Sequence, residues 1–74
     1  MMTLAELRDD AVLRYVGYNA HPRPETAVSV GKGKAALGRL VKAGLVKTDE
    51  EWSGCLALTE AGTERLAFID GGQP

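Results

Sequence analysis

Residues 28–46 read Val28-Ser29-Val30-Gly31-Lys32-Gly33-Lys34-Ala35-Ala36-Leu37-Gly38-Arg39-Leu40-Val41-Lys42-Ala43-Gly44-Leu45-Val46. A turn at Ser29-Val30-Gly31 leads into a helical pattern from Lys32 to Ala43, with Ser29 or Gly31 available as its cap. Leu37, Leu40 and Val41 fall on one face, and Lys32, Ala35, Arg39 and Lys42 on the opposite one. Gly44 supplies the left-handed residue that ends the helix. Gly33 and Gly38 each cost roughly 1 kcal/mol against alanine inside a helix, so they read as places of close backbone packing.

Downstream, Leu45–Thr48 and Cys55–Leu58 are short β-prone runs flanking the polar, Gly-ended segment Asp49-Glu50-Glu51-Trp52-Ser53-Gly54, the pattern of a hairpin. In the second run Leu56 and Leu58 alternate with Cys55 and Ala57, as in a half-buried strand. Thr59 then caps a last helix with Glu60 in its first turn, Leu66 and Ile69 on the core side with Ala61 or Ala67, and Gly71 at its end.

Upstream, Thr3 and Glu6 form a capping box, with Met2 and Leu7 at the positions of a hydrophobic staple. The spacing predicts a helix over residues 4–17 ending at Gly17, although Asp9-Asp10 offers a second start. Leu4, Leu7, Ala11, Tyr15 and Tyr18 form its apolar stripe, broadened by Val12 and Val16. The prolines of Asn19-Ala20-His21-Pro22-Arg23-Pro24 interrupt helical geometry, and Pro24 opens a one-turn helix to about Val28. The expected order is helix, short helix, helix, hairpin, helix: an α+β class, mostly helical, in one domain over residues 1–70 with a frayed tail at 71–74.

Composition sets bounds on what such a domain does. With 45% apolar and 26% charged residues, the 74-residue chain has the make-up of a folded globular protein with a small core. Its one cysteine, Cys55, allows no internal disulfide, so a partner or a second copy is the expected source of added stability. Neither a membrane-length apolar run nor a signal-peptide pattern occurs, and the expected location is the cytoplasm, with no membrane partner.

Net charge is −1, but the charges are segregated. Between residues 23 and 47, Arg23, Lys32, Lys34, Arg39, Lys42 and Lys47 stand against Glu25 alone, a net +5. The rest of the chain carries three arginines against nine acids, a net −6. Such segregation creates a local positive field on a mildly acidic protein, although a solvated basic helix face is the plainer reading of the same charges.

Three strings resemble winged helix-turn-helix domains of the MarR-, ArsR- and PadR-like regulators, and the resemblance spans roughly residues 9–69. They are Val28-Ser29-Val30-Gly31-Lys32-Gly33-Lys34-Ala35-Ala36-Leu37, Leu37-x-x-Leu40-x-x-x-Gly44-Leu45-Val46 and Leu56-x-Leu58-Thr59-Glu60-Ala61-Gly62. The resemblance implies a three-helix core, a hairpin wing and a C-terminal helix. It also implies a transcription regulator that binds double-stranded DNA as a homodimer on paired half-sites. Carried over by position, Val30, Lys32, Lys34 and Ala35 make the groove contacts, while Arg39 and Lys42 flank them on phosphate. Arg23 and Lys47 are further candidate phosphate contacts.

The residues qualify that implication. No Arg, Asn or Gln lies between residues 24 and 38, so recognition is expected to lean on phosphate and DNA shape rather than on base edges. The acidic tip Asp49-Glu50-Glu51 has the wrong sign for a wing that touches phosphate. It leaves an alternative in which the wing and Trp52 dock a protein partner, set against the plainer reading of Trp52 folding back onto the core or the hairpin strand. Gly31-Lys32-Gly33-Lys34 lacks P-loop spacing, and His21 has neither the company of a metal site nor that of a catalytic pair. The expectation is no enzyme, no metal and no cofactor.

Overall fold

Helix α1 (Leu4–Tyr18) begins at the expected capping box: the Glu6 amide donates to Thr3 Oγ1 at 3.1 Å and the Thr3 amide to Glu6 Oε1 at 2.8 Å. The helix runs unbroken through Asp9-Asp10 and past Gly17, ending where Asn19 Nδ2 donates to the Tyr15 carbonyl at 2.7 Å. Gly17 is therefore a packing position inside the helix, facing Leu66 and Leu58, and not its stop. The computed structural model describes residues 2–71; residues 72–74, most of the expected tail, lie outside the described residues.

After α1 come α2 (Pro24–Val30), α3 (Lys34–Lys42), strands β1 (Val46–Thr48) and β2 (Leu56–Leu58), and α4 (Glu60–Ile69). The strands form an antiparallel hairpin in the register Val46↔Leu58, Lys47↔Ala57 and Thr48↔Leu56. Among the described residues this is a mostly helical α+β domain of four helices and one two-stranded hairpin. Helix α1 is its axis and packs against the other three helices and β2. The extended segment before α2 lies along the hairpin, where the Leu56 amide donates to the Pro22 carbonyl at 2.7 Å.

The boundaries around residue 31 differ from expectation. Helix α2 extends two residues further than its sequence signal, and α3 starts at Lys34 instead of Lys32. A Schellman turn explains both shifts: the Gly33 amide donates to the Val28 carbonyl at 2.9 Å and the Lys32 amide to the Ser29 carbonyl at 3.2 Å. The left-handed residue of this turn is Lys32, at φ 59°. Gly31 is not free to take that role. A side chain there would press on Val12 and Ala36, so glycine at 31 serves the close approach of α1, α2 and α3. The equivalent turn after α3 has Gly44 at φ 78° in the left-handed position, as expected.

The core is built from Val12, Leu13 and Val16 of α1, Ala27 of α2, Ala36 and Leu40 of α3, Leu45 to β1, Leu56 of β2 and Leu66 of α4. Of the apolar stripe read from the first helix, Val12 and Val16 are buried and Tyr15 and Ala11 half-buried, whereas Leu4, Leu7 and Tyr18 are 62%, 52% and 62% exposed. Helix α1 has apolar residues around most of its circumference, and the inward set is the narrower one that fits α3 and α4. On α3 the inward residues are Ala36 and Leu40 with Leu37 at the margin, while Val41 faces outward. On α4, Ala61 and Ala67 are exposed, and the tight contact is at Gly62, packed against the Leu45 carbonyl. Thr59 joins these parts, donating to the Gly44 carbonyl at 2.6 Å and accepting from the Gly62 amide at 3.0 Å.

Candidate nucleic-acid interface

Ala36 and Leu40 turn one face of α3 inward, so the residues roughly opposite them form its outer ridge. At 100° per residue these are Lys34, Gly38 and Lys42, with Ala35 and Val41 beside them, all exposed. Gly38 and Gly33 have nothing within 4 Å of where a side chain would start, so neither marks close packing within the chain. The ridge is bare in the middle and cationic at both ends. Lys32 extends it at the N-terminal side from its left-handed turn, a conformation that costs a lysine roughly 1–2 kcal/mol. Gly33, at φ 136°, is the N-cap and offers no side-chain acceptor to the first amides of α3.

The other expected contact residues are dispersed. Val30 is half-buried and packs against the core at the end of α2. Arg39 lies on the flank of α3 nearest α1 and is engaged there. Its Nε lies 3.0 and 3.1 Å from the two Asp9 carboxylate oxygens, and its Nη2 lies 2.7 Å from one of them. Hydrogen bonding to Asp9 raises the Arg39 pKa further, with the Asp9 charge contributing, so the guanidinium stays charged.

Arg23 sits at the entrance to α2. Its amide donates to the Tyr15 hydroxyl at 2.8 Å, and its guanidinium reaches Glu25 at 3.7 Å. Lys47 is exposed on β1, opposite Ala57. Among the described residues, Lys32, Lys34, Lys42 and Lys47 form no ion pair, whereas Arg14, Arg23 and Arg39 each have one. Within residues 23–47 the positive charge outside ion pairs therefore resides on the lysines, three of the four in α3 and its leading turn, while Arg8 and Arg65 are the other cations of the described residues without an ion pair.

The hairpin tip has the opposite sign and its own rigidity. Asp49 Oδ1 accepts from the amides of Glu51 at 2.8 Å and Trp52 at 3.1 Å. These two hydrogen bonds hold the Asp49 carboxyl below its ordinary range, favouring its charged form. Trp52 is 55% exposed and rests against His21 with ring centroids 4.4 Å apart and planes tilted by 51°. Trp52 thus folds back towards the loop before α2 while keeping an open face.

Sequence reasoning missed Gly38 and Val41 as members of the outer ridge. The signal was present in the spacing 34–38–42 but was obscured by assigning Val41 to the core. Nothing in the sequence pointed to the His21–Trp52 contact, which joins residues far apart in the chain. Among the described residues, no group of three or more His, Cys, Asp or Glu side chains comes together in a way that could hold a metal ion, and no helix is long and apolar enough to cross a membrane. Comparison with known proteins returns no matching family model, no matching curated protein and no matching solved structure.

Proposed function

We propose that this chain is a winged helix-turn-helix protein that binds double-stranded DNA through α3 and acts in the regulation of transcription. The observation that carries the reading is the outer ridge of α3, where Lys34 and Lys42 flank the bare Gly38, Lys32 leads in, and none of the three lysines is neutralised. Flexible point charges suit phosphate, and the bare centre lets a groove wall approach the helix backbone. The element order and the hydrogen bond from Leu56 to Pro22, which adds an extended segment to the hairpin edge, support the winged-helix part of the reading. Recognition in this mode is dominated by phosphate and DNA shape.

The test is a titration of the chain with pooled duplex fragments at low and moderate salt. Affinity is expected to fall steeply with salt, and replacing Lys32, Lys34 and Lys42 together by Ala should remove most of it, flattening the salt slope by about 0.9 for each phosphate left without its lysine. A triple variant that binds as tightly as the parent sinks the proposal.

A second reading rests on the hairpin tip, where Asp49, Glu50 and Glu51 sit beside the half-open Trp52. Under this reading Trp52→Ala abolishes binding of a protein partner with the fold intact and leaves DNA binding through α3 unchanged.

A further inference from the structure

We infer that His21 and Trp52 form a proton-controlled clamp, which fastens the hairpin tip to the loop before α2 when the imidazole is charged and slackens when it is neutral. The two rings lie 4.4 Å apart between centroids, with planes tilted by 51°. Both residues are exposed, so the imidazole exchanges its proton freely with water. Each ring is carried on anchored backbone. Beside His21, Pro22 is buried and its carbonyl accepts from the Leu56 amide at 2.7 Å, while the Arg23 amide donates to the Tyr15 hydroxyl at 2.8 Å. On the other side, the amides of Glu51 and Trp52 donate to Asp49 Oδ1. The two rings thus bridge a pair of hydrogen-bonded segments that are far apart in the chain.

A charged imidazole gains on two neighbours. A cation within about 6 Å of an indole centroid is attracted by the ring, which shifts an exposed contact by about two- to fivefold. Asp49 is the second neighbour. Beyond the two amides that bond it, the charge of His21 also favours its carboxylate, and that attraction is mutual. The other charges around the loop leave the balance acidic. The hairpin adds Glu50 and Glu51 beside Asp49, against Lys47 on β1. At the entrance to α2, Arg23 is paired with Glu25. The end of α1 offers Tyr15 and Asn19, and α4 offers Thr63 to the crevice between loop and hairpin, where Asp49 is the titratable residue among those described. The fastening is therefore present while His21 is protonated and is lost as pH rises through the interval in which histidine ionises. Protonation of Asp49 gives an opposite step at lower pH, because the amides of the tip then lose their charged acceptor. The clamp uses neither α3 nor its lysines, so it holds with or without the DNA reading.

Acrylamide quenching of Trp52, the sole tryptophan, tests the clamp on the whole chain without DNA at about pH 5.5 and about pH 8. Fluorescence lifetimes measured alongside give the bimolecular quenching rate, which removes quenching by the imidazolium itself. That rate is expected to be about twofold lower at the acid pH, where the fastened ring shields the indole. His21→Gln should show the faster rate at both pH values. His21→Arg, a permanent cation that stacks on aromatic faces, should show the slower one at both. Circular dichroism checks that each variant keeps the parent fold. The inference is overturned by a parent rate that does not change with pH, or by a change that persists in His21→Gln, which assigns it to the acids of the tip. It is equally overturned if His21→Arg leaves Trp52 as open to acrylamide as His21→Gln does.

Discussion

Arg39 of α3 grips the carboxylate of Asp9 on α1 through two nitrogens, with contacts of 2.7 to 3.1 Å. Planar guanidinium and planar carboxylate meet in the bidentate geometry that favours arginine over lysine, and the pair ties α3 to the axial helix. The most basic side chain of α3 is thereby withheld from the ridge formed by its lysines.

Asp9→Asn releases that side chain. Both groups are partly exposed, so only a small loss of stability is expected. If α3 lies on DNA, the freed guanidinium gains a phosphate, and the slope of log affinity against log salt steepens by about 0.9. An unchanged slope means that Arg39 does not reach the phosphates even when released.

Two leucines of α1 discriminate between its apolar faces. Leu13→Ala leaves a cavity among fully buried side chains and is expected to cost about 2–5 kcal/mol, enough to unfold much of a domain this small. Leu7→Ala, on the face that sequence periodicity nominates as core, should stay within about 0.5 kcal/mol. Urea denaturation of the two variants checks both, and equal losses would contradict this pattern of burial.

Two glycines in helices should respond with opposite sign. Gly38→Ala meets open space and gains helix propensity, so a stabilisation of about 1 kcal/mol is expected. Gly62→Ala drives a methyl group into the Leu45 carbonyl and should destabilise by about 1–3 kcal/mol, because backbone is the atom in the way. Thermal melts of the pair separate a bare surface from a close helix–strand contact. If the face around Gly38 is pressed against DNA, Gly38→Ala also weakens binding while raising stability.

The hairpin tip should loosen in acid. The Asp49 carboxyl titrates lower in the folded chain than in the unfolded one because the amides of Glu51 and Trp52 hydrogen-bond its charged form. Its contribution is therefore fully present above the ordinary carboxylate range and is lost as pH falls through the lowered folded value. Trp52 is the sole tryptophan, so its fluorescence reports the change directly. Asp49→Ala should give the acid-state emission at neutral pH, and a parent-like spectrum for that variant would show that the tip is held by other contacts.

The features legible in the sequence alone are local. The Thr3–Glu6 box, Pro24 at the start of α2, Gly44 after α3, the hairpin and the Thr59 cap could all be read there, because caps and turns depend on hydrogen bonds between residues a few positions apart. Which faces are buried is settled only by packing. In α1, Leu4-Leu7-Tyr18 and Val12-Leu13-Val16 are both spaced for a helix, and the shape of α3 and α4 selects the second set. Packing also makes Gly31 a contact and Lys32 the left-handed residue, since the demand for space at 31 comes from Val12 and Ala36. For the candidate site, the basic stretch was visible as a sum of charge, whereas the removal of Arg39 by Asp9 and the exposure of the ridge from Lys34 to Lys42 were not. Charge is carried by the sequence, but which charges stay free depends on how the helices pack.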